Sequence, residues 1–136
     1  MLSSSEELCA KLSMSRSAEV EEFSRSFLLG TNYQHLYKIM GERSVELDSI
    51  DVHLFAADNF NEVFQNICGS LFAQRPASNS YILALLGFAV NIDRRLKGTE
   101  WYAVDAMISS LTWALLNVNF NPKNVDFWIY VRYYGL

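Results

Sequence analysis

The chain is poor in the residues that interrupt secondary structure. Two prolines and six glycines in 136 residues are too few to punctuate the seven or more short strands of a sandwich or small barrel, so the pattern points to helices. Cysteine is equally scarce. Cys9 and Cys68 cannot form a disulfide framework and read as reduced thiols of a cytosolic protein. Histidine occurs twice, and neither His35 nor His53 stands one helical turn from another ligand or beside a cysteine pair, so no metal centre is expected. The chain has no Gly-x-Ser-x-Gly, no glycine-rich phosphate loop and no Cys-x-x-Cys. Nothing supplies a nucleophile, a base and an oxyanion donor together, so neither an enzyme nor a cofactor is expected. The N-terminal MLSSSEE lacks the basic and apolar regions of a secretory signal. A net charge of −4 and a pI near 5.1 argue against a nucleic-acid binder.

What the chain has in excess is apolar mass. Hydrophobic residues make up 51% and charged residues 19%, against about 45–50% and 25% for an average globular protein. Extensive disorder is therefore excluded, and the length fits one domain, residues 1–136. Charge is unevenly placed. Residues 1–62 carry eleven acidic and five basic side chains, while residues 63–136 carry four acidic and six basic ones, so the halves can attract each other.

Helical spacing recurs along most of the chain. Ser4-x-x-Glu7 is a capping-box spacing, and Leu8 and Leu12 follow on one face. Ser13 to Ser17 is a polar weak spot, after which Val20, Phe23, Phe27 and Leu28 continue the stripe to Gly30. The pattern allows one long helix or two. Tyr33, Leu36, Tyr37 and Met40 form a further stripe ending at Gly41, and residues 42–58 read as a loop with one helical turn around Val52 to Phe55. From Asn59 an amphipathic helix is predicted through Phe60, Val63, Phe64, Ile67, Leu71 and Phe72. Pro76 breaks the chain, and Ser78 or Asn79 caps the next helix.

Two uncharged runs of 17 residues follow, Pro76–Ile92 and Ala106–Pro122. Both are at or below the length of a membrane span and contain Ser, Asn or Thr, so they read as buried globular helices. Tyr81 to Val90 is apolar all round, as a helix buried on every side would be. Arg94, Arg95, Lys97 and Gly98 close it. The second run predicts a helix from about Thr99 to Asn121-Pro122. An aromatic segment, Val125 to Tyr134, ends at Gly135. The expected fold is all-α, about seven helices built round the apolar helix at residues 80–95. Nine Phe, seven Tyr and three Trp supply the core, but the five aromatics crowded into residues 127–134 cannot all point inward, so some must line a groove or a partner surface.

Three stretches resemble the B-cell-lymphoma-2 (Bcl-2) family of apoptosis regulators, and most of all a compact viral member. VFQNICGSLF at residues 63–72, followed by SNSYILALLGF at 78–88, is similar to the family's first homology motif. NVDFWIYVRYYG at 124–135 resembles the second, and YKIMGE at 37–42 the third. They stand in the family's order over residues 33–135. The resemblance implies a bundle of helices round a central hydrophobic helical hairpin, with a long groove that binds the amphipathic death-motif (BH-3) helix of pro-apoptotic relatives such as Bim, Bak and Bax. Such recognition places apolar anchors spaced i, i+3 or i+4, and i+7 into pockets.

Carried onto this chain, Phe64, Ile67, Leu71 and Phe72 form one groove wall, and Leu83, Ala84 and Phe88 the floor. Val52 and Phe55 belong to the opposite wall, and Tyr134 stands at one end. Either Ser78 or Asn79 takes the place of the motif's Asn. Where the motif has Gly-Arg the chain has Ser80-Tyr81, so the arginine that pairs with a ligand aspartate is missing. Arg75 from the loop or the hydroxyl of Tyr81 substitutes for it. The implied activity is pro-survival: sequestering a pro-apoptotic helix and so blocking mitochondrial apoptosis of a host cell. The alternatives within the same fold are a membrane-permeabilising effector and a binder of a host signalling adaptor. No apolar tail follows Gly135, so a soluble protein of the host cytoplasm, peripheral to mitochondria and without an integral anchor, is expected. An exposed groove also predicts self-association as a homodimer.

Overall fold

The computed structural model describes residues 4–30, 50–72 and 79–134, with side chains over 16–30, 50–70 and 79–133. Among these residues the chain is all-helical. It forms α1 (Ser4–Leu29), a single 3-10 turn (Val52–Leu54), α2 (Phe60–Phe72), α3 (Asn79–Leu96), α4 (Val104–Asn117) and α5 (Val125–Tyr134). The stripe from Tyr33 to Met40 and the capping side chains of Ser4 and Glu7 lie outside the described residues.

The polar stretch Ser13–Ser17 does not divide α1, which runs unbroken to Leu29. Val20, Phe23, Phe27 and Leu28 are buried along one face while Glu21, Glu22 and Arg25 stay exposed. Gly30 ends the helix, its N–H donating to the Ser26 carbonyl at 2.8 Å. A Cβ at that position would lie 2.5 Å from the same carbonyl oxygen, which only glycine avoids.

The apolar helix α3 is buried almost all round, from Ile82 to Val90 with Ala84 the one partly exposed residue between them. The hub, however, falls one helix later than the sequence places it. It is α4 that packs against α1, α2 and α3 in turn, through Met107, Ile108, Leu111, Ala114 and Leu115. Gln65 of α2 donates to the Ser110 carbonyl at 2.9 Å, fixing α2 on this hub.

The helix α4 is also shorter at both ends than the run Thr99 to Pro122. Thr99–Tyr102 forms a turn closed by the Tyr102 N–H on the Thr99 carbonyl at 3.1 Å. That turn carries the Tyr102 hydroxyl back to the buried Asp93 of α3, to which it donates at 2.5 Å. At the other end Asn119 adopts a left-handed conformation, φ 57°. Phe120 N–H then bonds the Leu115 carbonyl at 3.0 Å and Asn119 N–H the Leu116 carbonyl at 3.1 Å. This is a Schellman cap, in which the apolar residue past the cap packs back on the last turn; Phe120 and Leu115 are both buried.

Removing the hydroxyl in Tyr102→Phe leaves the Asp93 carboxyl without this donor in a buried site. The expected cost is about 1–3 kcal/mol, read as a lower urea midpoint with an unchanged slope.

Asn121 and Pro122 make the next turn, and the Asn124 side chain caps α5 by accepting from Asp126 N–H at 3.0 Å. Phe127 and Val131 enter the core, where Phe127 meets Phe120 at 5.3 Å. Trp128 and Tyr130 are half-buried, whereas Val125, Ile129 and Tyr133 are exposed. The crowded aromatics thus divide between core and surface as their number requires. Among the described residues the halves of opposite charge meet where Lys123 pairs with Glu19 at 3.1 Å, while Arg25 reaches Asp105 at 3.6 Å in the reverse sense. Both pairs are exposed, and each contributes at most about 1 kcal/mol.

Candidate functional site

Helices α2 and α3 each pack on α4, and two rings join them. Phe64 and Phe88, both fully buried, meet with centroids 5.0 Å apart. The row extends from Phe64 to Phe60 at 6.3 Å and on to Phe55 at 5.0 Å, with Trp101 and Tyr102 against Phe60 at 6.4 and 5.8 Å. Phe55 follows the 3-10 turn, whose first N–H groups are satisfied by Asp51: its carboxylate accepts from His53 N–H at 2.9 Å. The turn packs on α3, and Arg95 of α3 donates to the Ile50 carbonyl at 2.5 Å.

Partly exposed apolar residues packed against the core on these elements are Val63 and Ile67 on α2, Tyr81 and Ala84 on α3, and Val52 on the turn. Cys68 is buried beside them as a free thiol, and burial pushes it up to about 12. Tyr81 is also raised above its ordinary value, first by burial and then by Cys68. The phenol of α3 and the thiol of α2 are therefore within electrostatic reach of each other.

Of the residues proposed for a groove, Phe55, Phe64, Leu83 and Phe88 are buried in the core, and Val52, Ile67, Asn79, Tyr81 and Ala84 are partly exposed. Leu71 and Phe72 belong to α2 and Tyr134 to α5, but their side chains, and all of Arg75, lie outside the described residues. No family model, curated protein or solved structure matches the chain. The sequence reading omitted Phe60, Val63, Cys68, Trp101 and Tyr102 from the site. Phe60 and Val63 were signalled by the α2 stripe itself, since i−4 neighbours of Phe64 and Ile67 share their face. Trp101 and Tyr102 carried no such signal, because the turn that brings them to Phe60 reads as helix.

Chemically, these helices offer partly exposed apolar side chains and the phenol of Tyr81. Among the described residues no group of three or more His, Cys, Asp or Glu side chains is placed to hold a metal ion, and no helix is long and apolar enough to cross a membrane.

Proposed function

We propose that the chain is a Bcl-2-like, pro-survival protein of viral type that binds the amphipathic death-motif helix of a pro-apoptotic relative between α2 and α3, acting in the host cytoplasm or at the mitochondrial surface. The observation that carries the reading is that α2 and α3 pack on a shared hub, α4, and each keeps partly exposed apolar residues. Ile67 of α2 and Tyr81 and Ala84 of α3 are partly exposed, and Phe64 and Phe88 join the same two helices. The order of the three sequence motifs supports it, as does the succession of two largely uncharged helices, α3 and α4, joined by a short turn.

A ligand helix laid along these walls presents apolar side chains one turn apart. Its burial on Ile67, Tyr81 and Ala84 supplies the hydrophobic gain. Tyr81 stands where the family motif has arginine and offers a hydroxyl donor, a weaker bond to a carboxylate than a guanidinium makes. Binding of Bim, Bak and Bax is expected to be unequal, with Bim the tightest.

Calorimetric titration with synthetic death-motif peptides of Bim, Bak and Bax tests this. At least one Kd below about 10 μM, near −7 kcal/mol, is expected; none that tight would overturn the reading. Dye-loaded liposomes are expected to stay intact, and leakage would favour a membrane-permeabilising role instead.

A further inference from the structure

Among the described residues α2 and α3 pack on α4 rather than closely on each other, so their relative placement depends on the side chains that span them. The Phe64–Phe88 pair is one such link. A second lies in the turn between α3 and α4. Lys97 to Glu100 of that turn are exposed, whereas Trp101 and Tyr102 fold inwards and pack, half-buried, against the core. The Tyr102 ring lies 5.8 Å from Phe60, the first residue of α2, and its hydroxyl donates to the buried Asp93 of α3 at 2.5 Å. Trp101 backs the same contact, 6.4 Å from Phe60 and 6.1 Å from Tyr102.

One side chain thus meets both helices, by its ring on α2 and by its oxygen on α3. The two contacts differ in kind. A ring pair holds over a range of offsets, whereas a hydrogen bond to a carboxylate is short and directional. A buried carboxylate also keeps its donor, because without one it stands unpaired away from water. The hydroxyl therefore fixes where the ring stands, and the ring fixes where α2 begins.

We infer that Tyr102 is a positioning residue for the ligand site: through Asp93 and Phe60 it sets α2 against α3, and with them Val63 and Ile67 against Tyr81 and Ala84. The inference rests on the reading above and adds to it a determinant of affinity outside the proposed contact residues. A binding site loses affinity when the contacts supporting it loosen, even where the residues that meet the ligand are unchanged.

The test is calorimetric titration of a Bim death-motif peptide into the full chain and its variants, each first shown to be folded by circular dichroism. Tyr102→Phe, which removes one oxygen, is expected to raise Kd at least about fivefold. Asp93→Asn keeps an acceptor oxygen for the hydroxyl and is expected to stay within about twofold. Val20→Ala truncates a fully buried side chain of α1, lowering stability without touching this link, and should leave the Kd of the folded protein unchanged. Should Tyr102→Phe fail to fold, Phe60→Leu, which leaves the Asp93 bond and removes the ring contact, is read in its place with the same rise expected. A Kd unchanged in Tyr102→Phe, or raised equally in Asp93→Asn or Val20→Ala, overturns the inference and leaves the binding itself established. No binding by the unaltered chain overturns the underlying reading and the inference with it.

Discussion

Replacing Phe64 by alanine is expected to destabilise the fold by about 3–5 kcal/mol, the usual cost of truncating a buried aromatic side chain. Phe64 is fully buried and sits in the middle of a row, touching Phe60 on one side and Phe88 on the other. The change removes apolar contacts from α2 and α3 together and leaves a cavity between them that neither helix can close without leaving α4. Urea unfolding monitored by circular dichroism measures it. A Phe64→Ala, Phe88→Ala double-mutant cycle should show coupling of about 0.5–1.5 kcal/mol, as for other aromatic pairs. Ile67→Ala, at a half-buried position beside the row, should cost roughly 1 kcal/mol yet weaken peptide binding. A loss below about 1 kcal/mol for Phe64→Ala would mean that the ring row does not hold the two walls.

Stability is expected to fall steeply above pH 9. In the folded protein burial holds the Cys68 thiol protonated up to about 12, whereas the exposed thiol of the unfolded chain ionises near 9.0. Folding above pH 9 must therefore take a proton back, so the contribution is whole below the unfolded value and is lost as pH rises towards the folded one. Each pH step in that window costs about 1.4 kcal/mol, or roughly 4 kcal/mol across it as an order of magnitude. Tyr102 adds to the same limb above pH 10, because burial and its bond to Asp93 also keep the phenol neutral in the fold. Urea midpoints from pH 8 to 11 measure the slope. Cys68→Ala should flatten it between pH 9 and 10, where tyrosine contributes little, and Tyr102→Phe should flatten it above pH 10. A slope unchanged in Cys68→Ala would contradict the burial of this thiol.

How far the sequence disclosed the fold depended on whether its signal was local. The stripe from Phe60 to Phe72 lies on α2, and the basic residues before Gly98 mark the end of α3, where Gly98 takes φ +93°. Both are read from neighbours along one helix. The ends of α4 were not legible in that way. An uncharged run does not register that Asn119 turns left-handed, or that Tyr102 leaves the helix to reach Asp93, since each depends on a partner chosen in three dimensions. The same limit explains the hub. The apolar stretch Tyr81–Val90 of α3 draws attention first, but centrality depends on neighbours: α1, α2 and α3 all rest on α4.

The candidate site was legible as composition and order rather than as geometry. Ile67, Tyr81 and Ala84 fall on partly exposed positions beside one another's helices, but Phe55, Phe64 and Phe88, proposed as groove residues, are buried. Aromatic residues serve core and interface alike, so spacing alone does not separate a ring that lines a wall from one that underlies it.

The sharpest test is to follow the backbone amide resonances of the labelled protein while a Bim death-motif peptide is added. Binding between α2 and α3 requires the largest shifts at Val63–Cys68 and Tyr81–Leu85, with α1 little affected. Shifts confined to α1 or to the exposed face of α5, or none at saturating peptide, would contradict it.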